Sequence, residues 1–371
     1  AGLEANLQRV NNDTYLKVFQ NNLYAFESKV LSSNKDTMVS NISLGLEHTD
    51  YDFSTNFQVF EELGEKHSDR YQYVLPTYSF SKILSIPNFD GSVSFNSSGS
   101  NSLKNTNNLR TSITNDLNFR SRDYFSNLGF RNNFSLYFKN LNSVGKNDPT
   151  YKASPRVEGE SIAEIETSLP MIKRNEINNE ILTPRISFRV NPGNNKKDYS
   201  SSRRLINANN IFEINRLGLS DSFESGKSLT LGINYKLDNI EYVPDTESEE
   251  IKNEGIIEEI KDEELIKDKY FEIGLGTVFR DEFESDIPTS STIDKKNSNI
   301  FGSINNELYD NMSLNYNFSI DNNFETFDSH SFGLQLGINN FLSEFNYVEQ
   351  RNDIGSNHSI SSEFTYNSTK I

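Results

Sequence analysis

Histidine is the usual marker of general-base, nucleophile-activating and metal-binding chemistry. The chain carries four, His48, His67, His330 and His358. His48 stands beside an expected tight turn and the other three in expected loops, none with a His or carboxylate at a metal-binding interval. Ser and Asp are so abundant that a Ser, His, Asp set can be drawn on paper, yet no nucleophile-elbow glycine pattern accompanies one. The stretch "GLGTVF" holds Gly274 and Gly276 inside an alternating run with no helix behind it. Glycines so placed relieve crowding or bend a curved sheet rather than cradle a phosphate. N-x-S/T triplets are what an Asn- and Ser-rich composition produces. With no cysteine, thiolate metal sites and disulfides within these residues are excluded. The sequence therefore offers no catalytic, metal or cofactor-binding residues, and no cofactor is expected.

What the chain does offer is two-faced strands. In "MSLNYNFSID" Met312, Leu314, Tyr316, Phe318 and Ile320 share one parity, while Ser313, Asn315, Asn317, Ser319 and Asp321 share the other. Alternation at period two is the mark of a strand with one apolar and one polar face. "SLTLGINYKL" repeats it with Leu231 and Ile233 on the apolar side and Asn234 on the polar side, and "SFGLQLGIN" with Leu334 and Leu336 against Gln335. Two environments would accept such an apolar face, the inside of a soluble sandwich and the hydrocarbon of a bilayer. In the second case Leu231, Ile233, Leu314, Tyr316, Phe318, Ile320, Leu334 and Leu336 face lipid, and Asn234, Ser313, Asn315, Asn317, Ser319 and Gln335 face a lumen.

Composition fits alternation over the whole length. The chain has 371 residues, 34% hydrophobic, with mean hydropathy -0.65 and net charge -17, values that alone would suggest disorder. The aromatic fraction of 12% argues otherwise, and alternation reconciles the two by diluting hydropathy without weakening the apolar face. No run approaches the ~18 apolar residues of a spanning helix. The acidic balance argues against a nucleic-acid partner, since counterion release needs Lys and Arg.

Period two places strands at about 38–47, 51–60, 71–80, 90–99, 106–120, 125–139, 161–172, 180–190, 206–216, 227–238, 270–280, 298–307, 312–321, 331–339, 341–349 and 357–366, with others before residue 38 bringing the count to about 18. Many approach the ~9–11 residues with which a tilted strand crosses a bilayer. The connections alternate long and short: "DEFESDIPTSSTIDKKNSN", "ELYDN", "NNFETFDSH", "NNF", "RNDIGSN". Outer-membrane barrels show this asymmetry and a soluble sandwich has no cause to keep it in phase. Residues 240–268 break the phase: acidic and without period two, they read as a solvated insertion, with a short amphipathic helix around Ile256, Ile257, Ile260 and Leu265 as the alternative. No composition shift marks a linker, so 1–371 is expected to be a single all-β unit, a large antiparallel transmembrane β-barrel region.

Several stretches resemble the barrel region of the lipopolysaccharide-assembly outer-membrane protein family, LptD. They are "NNDTYLKVF", "RYQYVLPTYSFS", "EILTPRISFRVNP", "INANNIFEINRLGLSDSFESGKSLTLGINYKL" and "KNSNIFGSINNELYDNMSLNYNFSID". The fourth is the most specific, with Asn210, Phe212, Asn215, Arg216, Asp221, Glu224 and Gly226 in the family's order and spacing. The resemblance implies a very large closed barrel that takes lipopolysaccharide from periplasmic bridge proteins and releases it to the outer leaflet through a seam between first and last strands. It also implies a lumen plugged by an LptE-like lipoprotein. The family's preceding jelly-roll, its last strands and its cysteines are missing, so the chain is expected to be a fragment to which no seam residue can be assigned. Arg185, Arg189 and Arg216 are candidates for a basic track toward an anionic cargo, against the default of surface solvation for any one of them. The alternatives are a diffusion porin or receptor barrel, which a dominant inward loop or plug would favour, and a secreted structural or adhesive β protein.

Overall fold

The computed structural model describes residues 1–18, 36–66, 69–86, 90–175, 178–193, 204–219, 222–239, 269–287, 289–309, 311–353 and 355–366. Eighteen strands are present among them: β1 (Gly2–Asn6), β2 (Thr37–Glu47), β3 (Tyr51–Glu62), β4 (Tyr71–Leu84), β5 (Gly91–Lys104), β6 (Asn108–Ser121), β7 (Tyr124–Phe125), β8 (Arg131–Lys146), β9 (Arg156–Ser168), β10 (Met171–Arg174), β11 (Asn178–Asn191), β12 (Gly226–Asn239), β13 (Tyr270–Arg280), β14 (Ile300–Tyr309), β15 (Met312–Ile320), β16 (Phe327–Ile338), β17 (Phe341–Asp353) and β18 (Gly355–Tyr366). All register-matched pairs are antiparallel and join chain neighbours into one sheet, as a meander requires. The short β7 prolongs β6 along β8, and β10 prolongs β9 along β11.

The sheet has an inner and an outer face. Residues 204–219 and 222–225, between β11 and β12, lie against one face only. They share cavities with Arg120 of β6 and Ser135 of β8 on one flank, and with Asn317 of β15, Ser331 of β16 and Val348 of β17 on the other. A segment this short can touch one face of strands from β6 to β17 only if the sheet wraps around it. The faces differ in chemistry, as β8 illustrates. Ser135, Lys139 and Leu141 are 4%, 6% and 3% exposed, and Lys139 sits over the ring of inner Phe223, 5.1 Å from its centroid. Leu136 and Phe138, of opposite parity, are 51% and 48% exposed and look outward.

The buried apolar core also lies inside the wrap. Ile206, Ile211, Leu217 and Leu219 of the inner segment meet Val278 of β13, Phe301 of β14, and Ile287 and Ile293 of the β13–β14 connection. Connections at one end of the sheet are short at 48–50, 85–90, 126–130, 175–177, 310–311 and 339–340, with 240–269 the exception. The other end carries 63–70, 147–155, 192–225, 281–299 and 321–326. It also has a tight turn at 105–107, and the expected long loop "RNDIGSN" is mostly strand: β17 runs to Asp353 and β18 starts at Gly355.

Two further expectations are corrected. Residues 206–216 form turns rather than a strand. His330 and His358 lie in β16 and β18 rather than in loops, because polar residues at alternate positions extend those strands past the apolar run that marks them. His67 and residues 240–268 lie outside the described residues.

Candidate functional site

The segment 204–225 is built by asparagine. Asn207 Oδ1 accepts the backbone N–H of Asn209 at 2.9 Å and of Asn210 at 3.0 Å, while Asn210 Oδ1 accepts that of Asn207 at 3.0 Å and its Nδ2 donates to the Leu205 carbonyl at 2.8 Å. Asn215 bonds both backbone groups of Leu219, at 2.7 and 2.8 Å, around Gly218 with φ of +69°. Side-chain amides thus take the backbone partners a strand would supply, which is why an alternating sequence does not become one here. Asn residues do this readily, and a left-handed residue such as Gly218 closes the turn.

Its apolar side chains need room against the wall, and glycines provide it. A Cβ on Gly232 of β12 would lie 2.7 Å from the Phe212 ring, and one on Gly276 of β13 would lie 3.3 Å from Ile211. A Cβ on Gly274 would lie 2.8 Å from Ser303 Oγ and 3.4 Å from Ala208. Phe212 is further fixed by the Arg185 guanidinium stacked 4.2 Å from its centroid. Gly232→Val is expected to push Phe212 off the wall while leaving the strand ladder intact. Limited proteolysis of the full-length protein should then show faster cleavage within 204–219, and an unchanged cleavage rate would refute the close-packing role of Gly232.

Charge closes the attachment. Glu224 receives Arg216 Nε at 2.6 Å on one oxygen and Arg216 Nη2 at 2.5 Å on the other, and Arg280 also donates to it. Arg216 spends its remaining donors on Thr230 Oγ1 at 3.0 Å, Ser228 Oγ at 3.1 Å and the Ile211 carbonyl at 3.3 Å. Burial pushes the Glu224 carboxyl up, but the charge and hydrogen bonds of Arg216, joined by Arg280 and Arg189, hold it down at about 2. Arg280 also donates to the Ser225 carbonyl, and Gly226, with φ of +84°, lets the chain turn into β12 beside that guanidinium. Arg189 of β11 donates to Glu164 at 3.2 Å and to the Phe212 carbonyl at 2.6 Å. Glu160 of β9 accepts the Phe223 N–H at 2.8 Å.

The expected basic track is therefore absent in these three arginines, and surface solvation fails for two of them. Arg189 and Arg216 are 1% and 0% exposed and bound to carboxylates, and Arg185 holds Glu166 through two bonds of 2.8 and 2.7 Å. Of the family-signature residues, Asn210, Phe212, Asn215, Arg216, Glu224 and Gly226 come together in this one assembly, and Asp221 lies outside the described residues. Sequence reasoning missed Arg280, Glu160 and Glu164. The signal for the acids was present: Glu158, Glu160, Glu164 and Glu166 recur on the inner parity of β9, with Glu164 opposite Arg189 of β11 and Glu166 bonded to Arg185.

The remaining sorted residues stand on the wall. Asn317 donates to Asn315 at 2.6 Å, Asn315 to Asn305, and Ser313 to Gln335 at 3.4 Å; Ser319 accepts from Asn299 at 3.0 Å and Asn234 donates to Glu272 at 2.6 Å. On the other parity Leu314 is registered with Leu334, Met312 with Leu336, Tyr316 with Phe332 and Ile320 with Phe327. The Tyr316 and Phe318 rings lie 5.7 Å apart, and Leu231 and Ile233 are exposed.

A family profile described as LptD, LPS transport system D, matches residues 2–370. The chain belongs to the LptD family. It is an all-β outer-membrane protein of the barrel type, in a family of transport proteins rather than enzymes. No curated protein matches. Similar solved structures include the open form of the ferric-catecholate import receptor Fiu from E. coli K12, at 9% identity and TM-score 0.36, covering 88% of this chain and 60% of that one. The siderophore receptor PirA from Acinetobacter baumannii is similar at 6% identity and TM-score 0.35, covering 89% of this chain and 55% of that one. The chain thus spans less than two thirds of either receptor.

Proposed function

We propose that this LptD-family chain forms the wall along which lipopolysaccharide is handed to the outer leaflet. What supports the reading is the opposite polarity of the two faces of the same strands, within a family described as LPS transport. A polar inner face takes saccharide and phosphate from water at little cost, while the acyl part leaves sideways through a seam into lipid. Pairing must be complete everywhere else, because an unsatisfied backbone group in hydrocarbon costs several kcal/mol.

The inner segment leaves part of the lumen open. On β2–β6 a cavity of about 400 Å³ is lined by Ser54, Ser79, Ser81, Asn96, Ser98 and Asp116. This stretch is where we place the cargo's sugars or an LptE-like plug lipoprotein, with bridge proteins on the periplasmic side supplying the cargo. An inward loop is also a receptor feature. Here it consists of the residues that carry the LptD resemblance, so it favours the transport reading.

The test places a photocrosslinking residue at Ser98 (inner) or Phe95 (outer) of the full-length protein in living cells. Ser98 is expected to capture lipopolysaccharide while periplasmic supply runs and to lose the adduct when supply is stopped. Capture at Ser98 that ignores supply, or no capture at all, would sink the proposal.

A further inference from the structure

The outer face of the wall is not uniformly apolar. On β12 the outward residues Leu229, Leu231, Ile233, Tyr235 and Leu237 run the length of the strand, and on β15 Met312, Leu314, Tyr316, Phe318 and Ile320 do the same. Five outward residues at two-residue steps span ~26 Å along a strand, enough for most of an apolar belt ~25 Å tall. On β5 the apolar run is only Val93 and Phe95, followed by Ser97, Gly99 and Asn101. Two such residues span ~7 Å. The same break crosses the neighbouring strands in register. The row Phe95, Leu117, Phe138, in which β9 already contributes Ser161, is followed toward the long-connection end by the row Ser97, Asn115, Asn140, Gly159.

That second row faces outward beyond doubt of parity. Phe138 is exposed, and a Cβ on Gly159 would lie 3.6 Å from its ring, whereas Lys139 lies on the inner side against Phe223. It is joined by hydrogen bonds: Tyr78 OH and Ser97 Oγ lie 3.1 Å apart, Ser97 donates to Asn115 at 2.8 Å, and Asn115 to Asn140 at 3.2 Å. Asn142 adds a bond to Asn140 at 2.6 Å. Beside this ladder, toward the short-connection end, an apolar cavity of about 640 Å³ opens between Val93, Leu117, Phe119, Leu136, Phe138 and Val190.

A polar ladder in contact with hydrocarbon is costly, since amide groups transferred to an apolar medium lose water partners. The adjacent apolar cavity would equally be costly if filled with water. One occupant satisfies both, an amphiphile whose chains enter the cavity while its sugar hydroxyls meet the amides and the tyrosine. Planar amides with a ring alongside also suit a saccharide, which presents hydroxyl edges and apolar faces.

We infer that the outer surface of β4–β9 is a seat for a glycolipid of the surrounding leaflet, acyl chain in the cavity and saccharide on the Ser97–Asn115–Asn140 ladder. The seat lies on the opposite face from the transport path proposed above. It rests on the membrane placement of the outer face, not on translocation.

Nitroxide labels at Asn115, Asn140 and Leu231 of the full-length protein, read by collision with oxygen and with a nickel chelate, test it in lipopolysaccharide-containing and phospholipid-only bilayers. In phospholipid alone the Asn115 and Asn140 labels should meet the chelate several-fold more than the Leu231 label does. With lipopolysaccharide present their chelate collisions should fall several-fold as sugars cover the ladder, without a rise in oxygen collisions. Oxygen-rich labels matching Leu231 in both bilayers would mean hydrocarbon fills the notch, and chelate collisions unchanged by lipopolysaccharide would mean no saccharide sits there. Either result overturns the seat. A chelate-accessible Leu231 would instead overturn the membrane placement itself, so the two failures are distinguishable.

Discussion

Glu224→Ala should cost about 3–5 kcal/mol and release the inner segment, the usual penalty for leaving a buried charge without its partner. Both Arg216 and Arg280 would lose their shared carboxylate at positions with 0% and 1% side-chain exposure. In cells the released segment should open the lumen, seen as sensitivity to large hydrophilic antibiotics. In purified full-length protein it should appear as rapid cleavage within 204–219. Adding Arg216→Met should restore part of the loss, because the cost of the single change lies in the orphaned cations more than in the missing bond. Protease resistance equal to that of the parent would show that the ion cluster does not hold the segment.

The same cluster sets a pH dependence. The Glu224 carboxyl sits at about 2 in the fold against an ordinary 4.5. A depressed carboxyl stabilises the fold fully above its unfolded value and loses that contribution as pH falls through the folded one. The window is therefore about 4.5 down to 2, and the stake is about 3 kcal/mol. Docking followed by proteolytic protection should be flat above pH 5 and fail progressively below 4.5; Glu224→Gln should remove that acid transition. A transition of the same shape in Glu224→Gln would assign it to other groups.

The faces of the wall were legible because strand side chains alternate with a fixed period and the two environments differ most in polarity. Leu314 and Asn315 are sorted by the same rule in sequence and in register. The inner segment was not legible as a shape, since "INANNIFEIN" alternates as a strand does and only the amides of Asn207, Asn210 and Asn215 decide otherwise. Its importance was legible through the family resemblance, which singled out Arg216 and Glu224 without saying that they bind each other. Arg189 shows the limit of composition rules. An arginine is surface-exposed by default, but Glu164 on the facing strand and the Phe212 carbonyl from the inner segment make a buried site for it, and those partners are far apart in sequence. The outward ladder of Asn115 and Asn140 was hidden for a different reason. A single strand shows that a polar residue occurs at an outward position, whereas the break in the belt exists only once β5, β6, β8 and β9 are aligned.

Leu231→Arg is the second change with a large expected effect. Leu231 looks outward from β12 between Ile186 of β11 and Thr277 of β13. An arginine on the lipid face near the middle of a transmembrane strand costs about 2–4 kcal/mol, and less toward the interfaces. Ser98→Arg, at an exposed inner position beside the open lumen cavity, should cost little because its charge stays in water. The pair separates lipid from water as the neighbour of each face without reference to cargo. Folded fraction measured by heat-modifiable gel mobility of the full-length protein should fall for Leu231→Arg and hold for Ser98→Arg. Equal losses at the two positions would mean that the outer face is packed against protein, and equal tolerance that it is wet; in either case hydrocarbon would not be what the apolar parity of these strands is built to meet.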